Sequence, residues 1–484
     1  MLRLVLLLAC VACHAVDRPP NIVLILVDDL GYGDLGCFGA KDIRTPHLDR
    51  LAAQGTRFTD FYVAQAVCTA SRAALLTGCY PNRVGMQGAL NHTSRFGLNP
   101  SEWTLPKMLK ERGYATGCFG KWHLGTVPEL SAPRQGFDEF FGLPYSNDNS
   151  KYHPSLASEM PPLPLLDGER VAELDPDQST FTARFTAKGV DFIERHKDRP
   201  FFLYLPHVMP HVPIFASAKF KGRSARGLYG DVVEELDDAI GTVLAKLRDT
   251  GLEQNTVVLF FSDNGAWMSY GEHAGSNRPF REGKLTCFEG GVRTPLVVRW
   301  PGQVPAGRTC GTPFMSIDLL PTFVEAVGGK APTLKIDGRS ALPLLRGTDE
   351  SATHEALFYY AGEELHAVRS GKWKLHFPHP YLTNMGNPGK GGKPSAYGEY
   401  TPLPITDSSM NAIASRHGQK VAAQPLALYD LTLDPAETHD LAAEHPDVVQ
   451  RLSALATPVR LALGDKLTGA QGNERRPAGF VPVK

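Results

Sequence analysis

Four segments of the chain are continuous, β-rich apolar runs that stop abruptly at polar or charged residues. They are Asn21 to Val27 before Asp28-Asp29, Tyr114 to Phe119 before Lys121-Trp122-His123, Phe201 to Leu205 before His207, and Thr256 to Phe261 before Asp263-Asn264. An unbroken apolar run, unlike an alternating one, predicts a strand buried on both faces of a parallel sheet. Helical patterns lie between the runs. Thr45 with Pro46 and Thr104 with Pro106 read as capped helix starts, ending before Gly55 and Gly113. Val232, Val233, Leu236, Ile240, Val243, Leu244 and Leu247 mark one face of a helix stopped at Gly251. Alternating strands and helices predict an α/β fold with a large, mostly parallel sheet flanked by helices. Ligands bind such sheets beyond the carboxyl ends of the strands, so Asp28, Asp29, Lys121, His123, His207, His211, Asp263 and Asn264 are expected to converge there.

After Asp337-Gly338 the texture changes. Leu357 to Tyr360, His366 to Val368 and Trp373 to Phe377 read as short strands, and a helix follows from Pro446 to about Leu463. This predicts a smaller C-terminal α+β domain over residues 355–484, beside a catalytic α/β domain over 16–354. The Gly/Pro/Lys-rich stretch from Asn384 to Pro402 reads as a mobile surface loop, and its GKGGKP lacks the spacing and the Ser/Thr of a phosphate-binding loop. At the amino end, Arg3 precedes an apolar run from Leu4 to Ala12, about half the length of a membrane span. Residues 1–15 therefore read as a secretory signal cleaved near Ala15, and the mature chain is expected to be secreted or periplasmic without stable membrane insertion. Leu7-Leu8-Ala9-Cys10 offers lipoprotein anchoring as a minor alternative.

Lys and Arg number 50 against 51 Asp and Glu, so no global field draws the protein to nucleic acid or an anionic membrane. Any anionic ligand must meet local cations. Beyond the signal, Cys37, Cys68, Cys79, Cys118, Cys287 and Cys310 form no CxxC pair, which leaves room for one or two bridges with no pairing fixed. Asn91-His92-Thr93 is a glycosylation sequon that matters only in a eukaryotic secretory pathway.

Asp28-Asp29 and Asp263-Asn264 offer only oxygen ligands, which suit a hard cation such as calcium or magnesium. Either pair alone would also suit a solvated turn; two pairs at one sheet edge point to a metal. Cys68-Thr69-Ala70-Ser71-Arg72 leads into Ala73-Ala74-Leu75-Leu76-Thr77-Gly78, a helix of about two turns stopped at Gly78. Cys68 then sits just before a helix start, where backbone N–H groups and the dipole are expected to make its thiol more acidic. Arg72, one turn along, faces the same side and supplies a fixed positive charge.

CTASR followed by AALLTG resembles the signature of the type I sulfatases of the alkaline-phosphatase-like superfamily, in which the cysteine is oxidised to formylglycine. The resemblance extends in family order through NIVLILVDDLGYGDLGCFG (21–39), GKWHLG (120–125), LPYSNDNS (143–150), PHVMPHVP (206–213), SDNG (262–265), GKLTCFEGGVRTP (283–295) and LYDLTLDPAE (428–437), nearly the whole mature chain. It implies one calcium held by Asp28, Asp29, Asp263, Asn264 and the modified Cys68, with Arg72 polarising the formylglycine. It further implies that Lys121 and Lys284 grip the sulfate oxygens, that Ser146 contacts the sulfate, and that His123 and His211 transfer protons. The implied partners are a sulfate ester of an aryl alcohol or a carbohydrate and a formylglycine-generating maturation enzyme. His207 reads as structural, because the motif places the reacting histidine before Val212-Pro213. Glu289, Gly290, Gly291 and Arg293 read as a turn with a scaffolding salt bridge.

Sulfate ester hydrolysis needs a nucleophile, neutralisation of three nonbridging oxygens and an acid for the leaving alcohol, and this set of residues contains all three. Ala70 stands where the commonest form of the signature has Pro, which leaves open the oxygen-dependent or radical-based maturation of Cys68. The rival functions are a phosphonate or phosphate diester hydrolase of the same superfamily, and a noncatalytic binder of sulfated glycans with an unmodified Cys68.

Overall fold

The computed structural model describes residues 18–330 and 332–482; the signal segment expected over residues 1–15 lies outside them. Eleven strands form the main sheet. Across it run Arg308–Cys310, Thr56–Tyr62, Arg293–Arg299, Thr256–Ser262, Asn21–Val27, Phe201–Pro206, Ala115–Lys121, Glu139–Leu143, Pro164–Asp167 and Arg170–Leu174, with Phe314–Met315 also on Thr56–Tyr62. The five strands from Thr256–Ser262 to Glu139–Leu143 are mutually parallel, and antiparallel partners flank them on either side. Each of the four apolar runs is one of these central strands. Ile22, Leu24 and Leu26 point into one core, and Val23, Ile25 and Val27 into the other. A strand sandwiched in this way has no polar face, hence the unbroken pattern.

Two details differ from the sequence reading. The Tyr114–Phe119 run continues as the strand Ala115–Lys121, so Lys121 is the last strand residue rather than the first of a loop. Neither Thr45 nor Thr104 caps its helix with its side chain. Thr45 Oγ1 accepts from Gly36 N at 2.8 Å, and Thr104 Oγ1 donates to Gln135 O at 2.6 Å. Tertiary partners outcompete the local cap.

The expected mobile loop from Asn384 to Pro402 is a docked segment instead. Ser395 is buried and donates its backbone N–H and hydroxyl to Ser269 O at 2.7 and 3.0 Å, and Lys393 Nζ donates to Pro154 O at 2.8 Å. Gly389 lets two backbones touch there, since a Cβ would stand 2.3 Å from Lys393 O. Gly389 serves close packing rather than flexibility, whereas Gly386, Gly391 and Gly398 have open space around them.

The C-terminal part carries a four-stranded antiparallel sheet, in the order Leu357–Ala361, Glu364–Ser370, Trp373–His376 and Ala427–Asp430, and the helix Pro446–Leu463. It shares a core with the main part, in which Tyr62 and Val63 join Tyr359, Leu365 and Leu375. A buried ionic network crosses the same junction. Lys374 Nζ lies 2.8 Å from Glu289 Oε1 and 3.0 Å from Glu437 Oε1, with all three side chains fully buried. Arg293 and Arg369 reach Asp60 at 2.6 and 3.0 Å. Glu289 and Arg293, the scaffolding pair of the sequence reading, lie 3.2 Å apart inside this network. No helix among the described residues is long and apolar enough to cross a membrane.

Beside Lys121, the strands Ala115–Lys121 and Glu139–Leu143 pair with Gly120 opposite Gly142. Gly120 has φ +140, and a Cβ on Gly142 would lie 1.7 Å from Gly120 O. Gly142→Ala should therefore part these strands and destabilise the protein by about 1–3 kcal/mol, the usual cost of overpacking. The check is the denaturant midpoint against Gly386→Ala, where nothing lies within 4 Å; equal midpoints would refute the close-approach argument.

Candidate active site

At the carboxyl ends of the central strands the expected residues do meet. Asp28 and Asp29 follow Asn21–Val27, Asp263 and Asn264 follow Thr256–Ser262, His207 and His211 follow Phe201–Pro206, and Lys121 ends its own strand. Cys68 is the first residue of the helix Cys68–Thr77, behind Val67 at the N-cap. Asp29 and His123 hold left-handed backbone at φ +63 and +58, a conformation that costs non-glycine residues energy and collects at functional sites.

Three carboxylates and three cations lie here almost without water. Arg72 Nη2 sits 2.9 Å from Asp28 Oδ2 and 2.7 Å from Asp263 Oδ2, and its Nη1 donates to Lys121 O at 2.8 Å. Lys121 Nζ is 2.5 Å from Asp28 Oδ2 and donates to Ser146 Oγ at 3.1 Å. Lys284 Nζ donates to Asp29 Oδ2 at 2.9 Å and reaches Cys68 Sγ at 3.3 Å. Burial would raise the Asp28 carboxyl, but Lys121 and Arg72 outweigh it and hold the group well below the usual carboxylate range. Asp29 is pushed up, by burial first and by the neighbouring Asp28 and Asp263 next, with Lys284 opposing.

Two expectations about Cys68 change. Its thiol is not more acidic than usual: burial, and then the adjacent Asp28 carboxylate, push it up, outweighing Lys121 and Lys284. The thiol lies 3.2 Å from Asp28 Oδ1. The positive charge at the sulfur comes from Lys284, because Arg72 commits its donors to Asp28, Asp263 and the Lys121 carbonyl. None of the six cysteines among the described residues is bridged, so the one or two disulfides allowed by the sequence do not form there.

The histidines have readable tautomers. A carbonyl oxygen only accepts, so His211 Nδ1, 2.5 Å from Val212 O, carries a proton and Nε2 is free. That Nε2 lies 3.5 Å from Ser146 Oγ and 3.6 Å from Asp29 Oδ2. Burial, with help from Lys284 and Lys121, lowers the imidazole to about 3. His123 Nε2 lies 2.7 Å from Leu90 O, which leaves Nδ1 buried without a partner. His207 is buried, lowered to about 4 by that burial, and is not among the residues lining the cleft.

The donor set fits a hard cation. One ligand atom each from Asp28, Asp29, Cys68 and His211 falls within 4.8 Å of the others. Asn264 Nδ2 donates to Asp29 Oδ1 at 2.7 Å, while Asn264 Oδ1 is buried with no hydrogen-bond partner. An orphaned amide oxygen beside three carboxylates is costly unless a cation meets it.

Above this layer opens a cleft of about 510 Å³ lined by Cys68, His123, Ser146, His211 and Lys284. Sequence reasoning missed other parts of its wall, among them Trp267, Asp148 and, from the C-terminal part, Arg416 and His417. Lys284 Nζ lies 4.2 Å from the centre of the Trp267 ring, and the His417 ring packs against that ring at 4.2 Å. Asp148 stood inside LPYSNDNS, so its motif carried the signal; Arg416 and His417 follow a stretch without a motif.

The family model described as Sulfatase matches residues 20–329, and that described as the C-terminal region of aryl-sulfatase matches residues 352–472. Human arylsulfatase A is 41% identical over 475 residues, covering 93% of this chain and 89% of the relative. N-acetylgalactosamine-6-sulfatase of Canis lupus familiaris is 40% identical, covering 78% of this chain and 75% of the relative. Among solved structures, that of Ps i-CgsB in complex with k-i-k-neocarrahexaose superposes with a TM-score of 0.72 at 28% identity, covering 91% of this chain and 93% of that one.

Proposed function

The chain belongs to the sulfatase family, and from that membership we propose that it hydrolyses sulfate monoesters with a nucleophile made from Cys68 by oxidation to formylglycine, next to one bound calcium. The observation that carries this reading is the meeting of Cys68 Sγ with Lys284 Nζ at 3.3 Å and with Asp28 Oδ1 at 3.2 Å at the base of the cleft. A nucleophile precursor, a cation for an anionic ester and a metal-grade carboxylate share one point. Once oxidised and hydrated, position 68 supplies two hydroxyls, one to attack sulfur and one whose proton loss lets the sulfate leave. Calcium, held by Asp28, Asp29, Asp263, Asn264 and position 68, would supply positive charge to acidify those hydroxyls.

The chain's own residues do the remaining work. Lys121 and Lys284 stand on two sides of the Asp28/Asp29 pair and neutralise the nonbridging sulfate oxygens, with Ser146 Oγ as a further donor. Arg72 positions Asp28 and Asp263 rather than touching the substrate. His123 and His211 each present one unprotonated ring nitrogen, and an arriving sulfate anion favours proton uptake at His211 Nε2. From there the proton passes to the departing alcohol oxygen. The leader of Arg3 followed by Leu4 to Ala12 supports export, to a secreted or periplasmic location.

Peptide mass spectrometry of protein from its native host should find formylglycine at position 68 and a mature N-terminus just after Ala15. Cys68→Ala should remain folded and essentially inactive. An unmodified thiol with full aryl sulfatase turnover in the same sample would end this reading.

Elemental analysis should find one calcium per chain. Its chelation should lower both activity and the unfolding midpoint, and calcium should restore both. Stoichiometric zinc in place of calcium would overturn the assignment, since Cys68 and His211 are the ligands zinc would choose.

For the proton donor, nitrophenolate leaves with little help while a sugar alkoxide needs a proton. His211→Ala is expected to cost at least ~10²-fold on a sulfated sugar, the low end of a general-acid contribution, and much less on nitrophenyl sulfate. Equal losses would make His211 a sulfate ligand instead.

A further inference from the structure

Two charged groups on the cleft wall have no protein partner for part of their hydrogen-bonding capacity. Asp148 lies in the turn after the strand Glu139–Leu143 and is only 8% exposed. Its Oδ1 accepts from Asn149 Nδ2 at 2.9 Å, whereas among the described residues nothing donates to Oδ2 and no Lys or Arg reaches the carboxylate within 4.0 Å. The turn holding it is rigid. Asn147 Nδ2 donates to Gln178 Oε1 at 2.9 Å and to Pro213 O at 3.0 Å, and Ser150 N donates to Asp148 O at 2.7 Å.

Arg416, 4% exposed, ends the helix Met410–Arg416. Its Nη1 donates to Pro404 O at 2.7 Å and Asp407 O at 2.9 Å, which ties down the preceding loop. Its Nε is buried without a partner, its Nη2 makes no hydrogen bond, and no carboxylate among the described residues comes within 4.0 Å of it. Both side chains line the cleft that holds Cys68. Burial lowers the Arg416 guanidinium, and the Asp407 carboxylate first and the Asp148 carboxylate next offset part of that.

An open carboxylate oxygen on Asp148 and a buried, unpartnered Nε on Arg416 in one cleft define the alcohol that fills it. A hydroxyl both donates and accepts, so a pair of neighbouring hydroxyls satisfies a carboxylate oxygen and a guanidinium together. A flat apolar alcohol would strip water from both charges and return nothing. Nor does Trp267 offer a free aromatic platform, with Lys284 over its ring and His417 packed against it. A second anionic group beside the scissile ester would meet the Asp148 carboxylate.

We propose that Asp148 and Arg416 are the specificity-determining pair of this enzyme, selecting the sulfate ester of a sugar that carries free hydroxyls beside the sulfated carbon and rejecting one with a second sulfate there. The proposal rests on the sulfatase reading above. The experiment first measures nitrophenyl sulfate turnover by matured wild type; none would sink that reading itself. With turnover in hand, a panel of sulfated monosaccharides identifies the best sugar, which is compared with cyclohexylmethyl sulfate, an equally poor leaving group without hydroxyls, and with the same sugar bearing a neighbouring second sulfate.

Wild type should prefer the monosulfated sugar over both. In Asp148→Asn, kcat/KM for that sugar should fall by about 10–100-fold more than for cyclohexylmethyl sulfate, the range expected when a charged hydrogen bond to substrate is lost. Discrimination against the disulfated sugar should fall at least about tenfold as the repelling charge goes. Arg416→Gln should reproduce the sugar-selective loss without the gain on the disulfated sugar. Equal losses of Asp148→Asn on sugar and cyclohexylmethyl sulfate would show that Asp148 acts on the sulfate step and overturn the proposal. So would no loss at all, or a wild type indifferent to the hydroxyls.

Discussion

Three carboxyl groups and three cations packed together at the end of a parallel sheet are the constraint around which this molecule is built. Asp28, Asp29 and Asp263 cannot lie together in a dry interior unless cations stand among them, and Arg72, Lys121 and Lys284 do so at 2.5 to 3.0 Å. With equal numbers of each sign the cluster is close to neutral, so a divalent cation would leave it positive and suited to an anionic ester. Removing one member would leave its partner charged and unsolvated, a cost of about 3–5 kcal/mol. Every surrounding element is placed so that none of the six is missing. Strand ends deliver the carboxylates and Lys121, the helix start delivers Cys68 and Arg72, and the loop before Glu289 delivers Lys284.

How much of this was legible follows from the range of the interactions. Runs such as Asn21–Val27 announce strands buried on both faces because the cause, two apolar cores, acts on every residue of the run. The strand-end motifs announced the carboxylates and Lys121 because these residues are local to those ends, while Arg72 and Lys284 came from motifs on a helix and a loop. What escaped were effects set by residues far apart in sequence. The acidity of Cys68 is decided by Asp28 and by burial, not by the helix it begins. Thr45 and Thr104 follow the capping pattern yet bond elsewhere. The glycines between Asn384 and Pro402 resemble a flexible linker, and only the seating of Ser395 against Ser269 and the close approach at Gly389 reveal that the segment is docked. The cleft's outer wall was the least legible, because Arg416 and His417 follow a segment whose sequence has no periodicity and no motif.

The division of labour between the two levels of the site has the same origin. The charged residues beneath the cleft are bonded to one another, so most of their geometry is set by protein partners. Those on the wall, Asp148 and Arg416 among them, keep valences open. On the reading proposed above, chemistry common to sulfate esters falls to the first layer and recognition of the particular alcohol to the second.

The Lys374 network bears on how this protein could be made smaller. Glu289 sits fully buried in the main part of the chain while its lysine comes from the C-terminal sheet, and Asp60 likewise draws one of its two arginines from there. A chain cut in the stretch between the two family matches would take the lysine from Glu289 Oε1, leaving Arg293 and Tyr62 on Oε2 alone, and would expose Tyr62 and Val63. The sequence boundary near residue 355 is thus a change of texture, not a line along which the protein can be trimmed. A minimal catalytic fragment would have to carry its own substitute for Lys374, and engineered fusions would do better to attach at the chain's ends than at this seam.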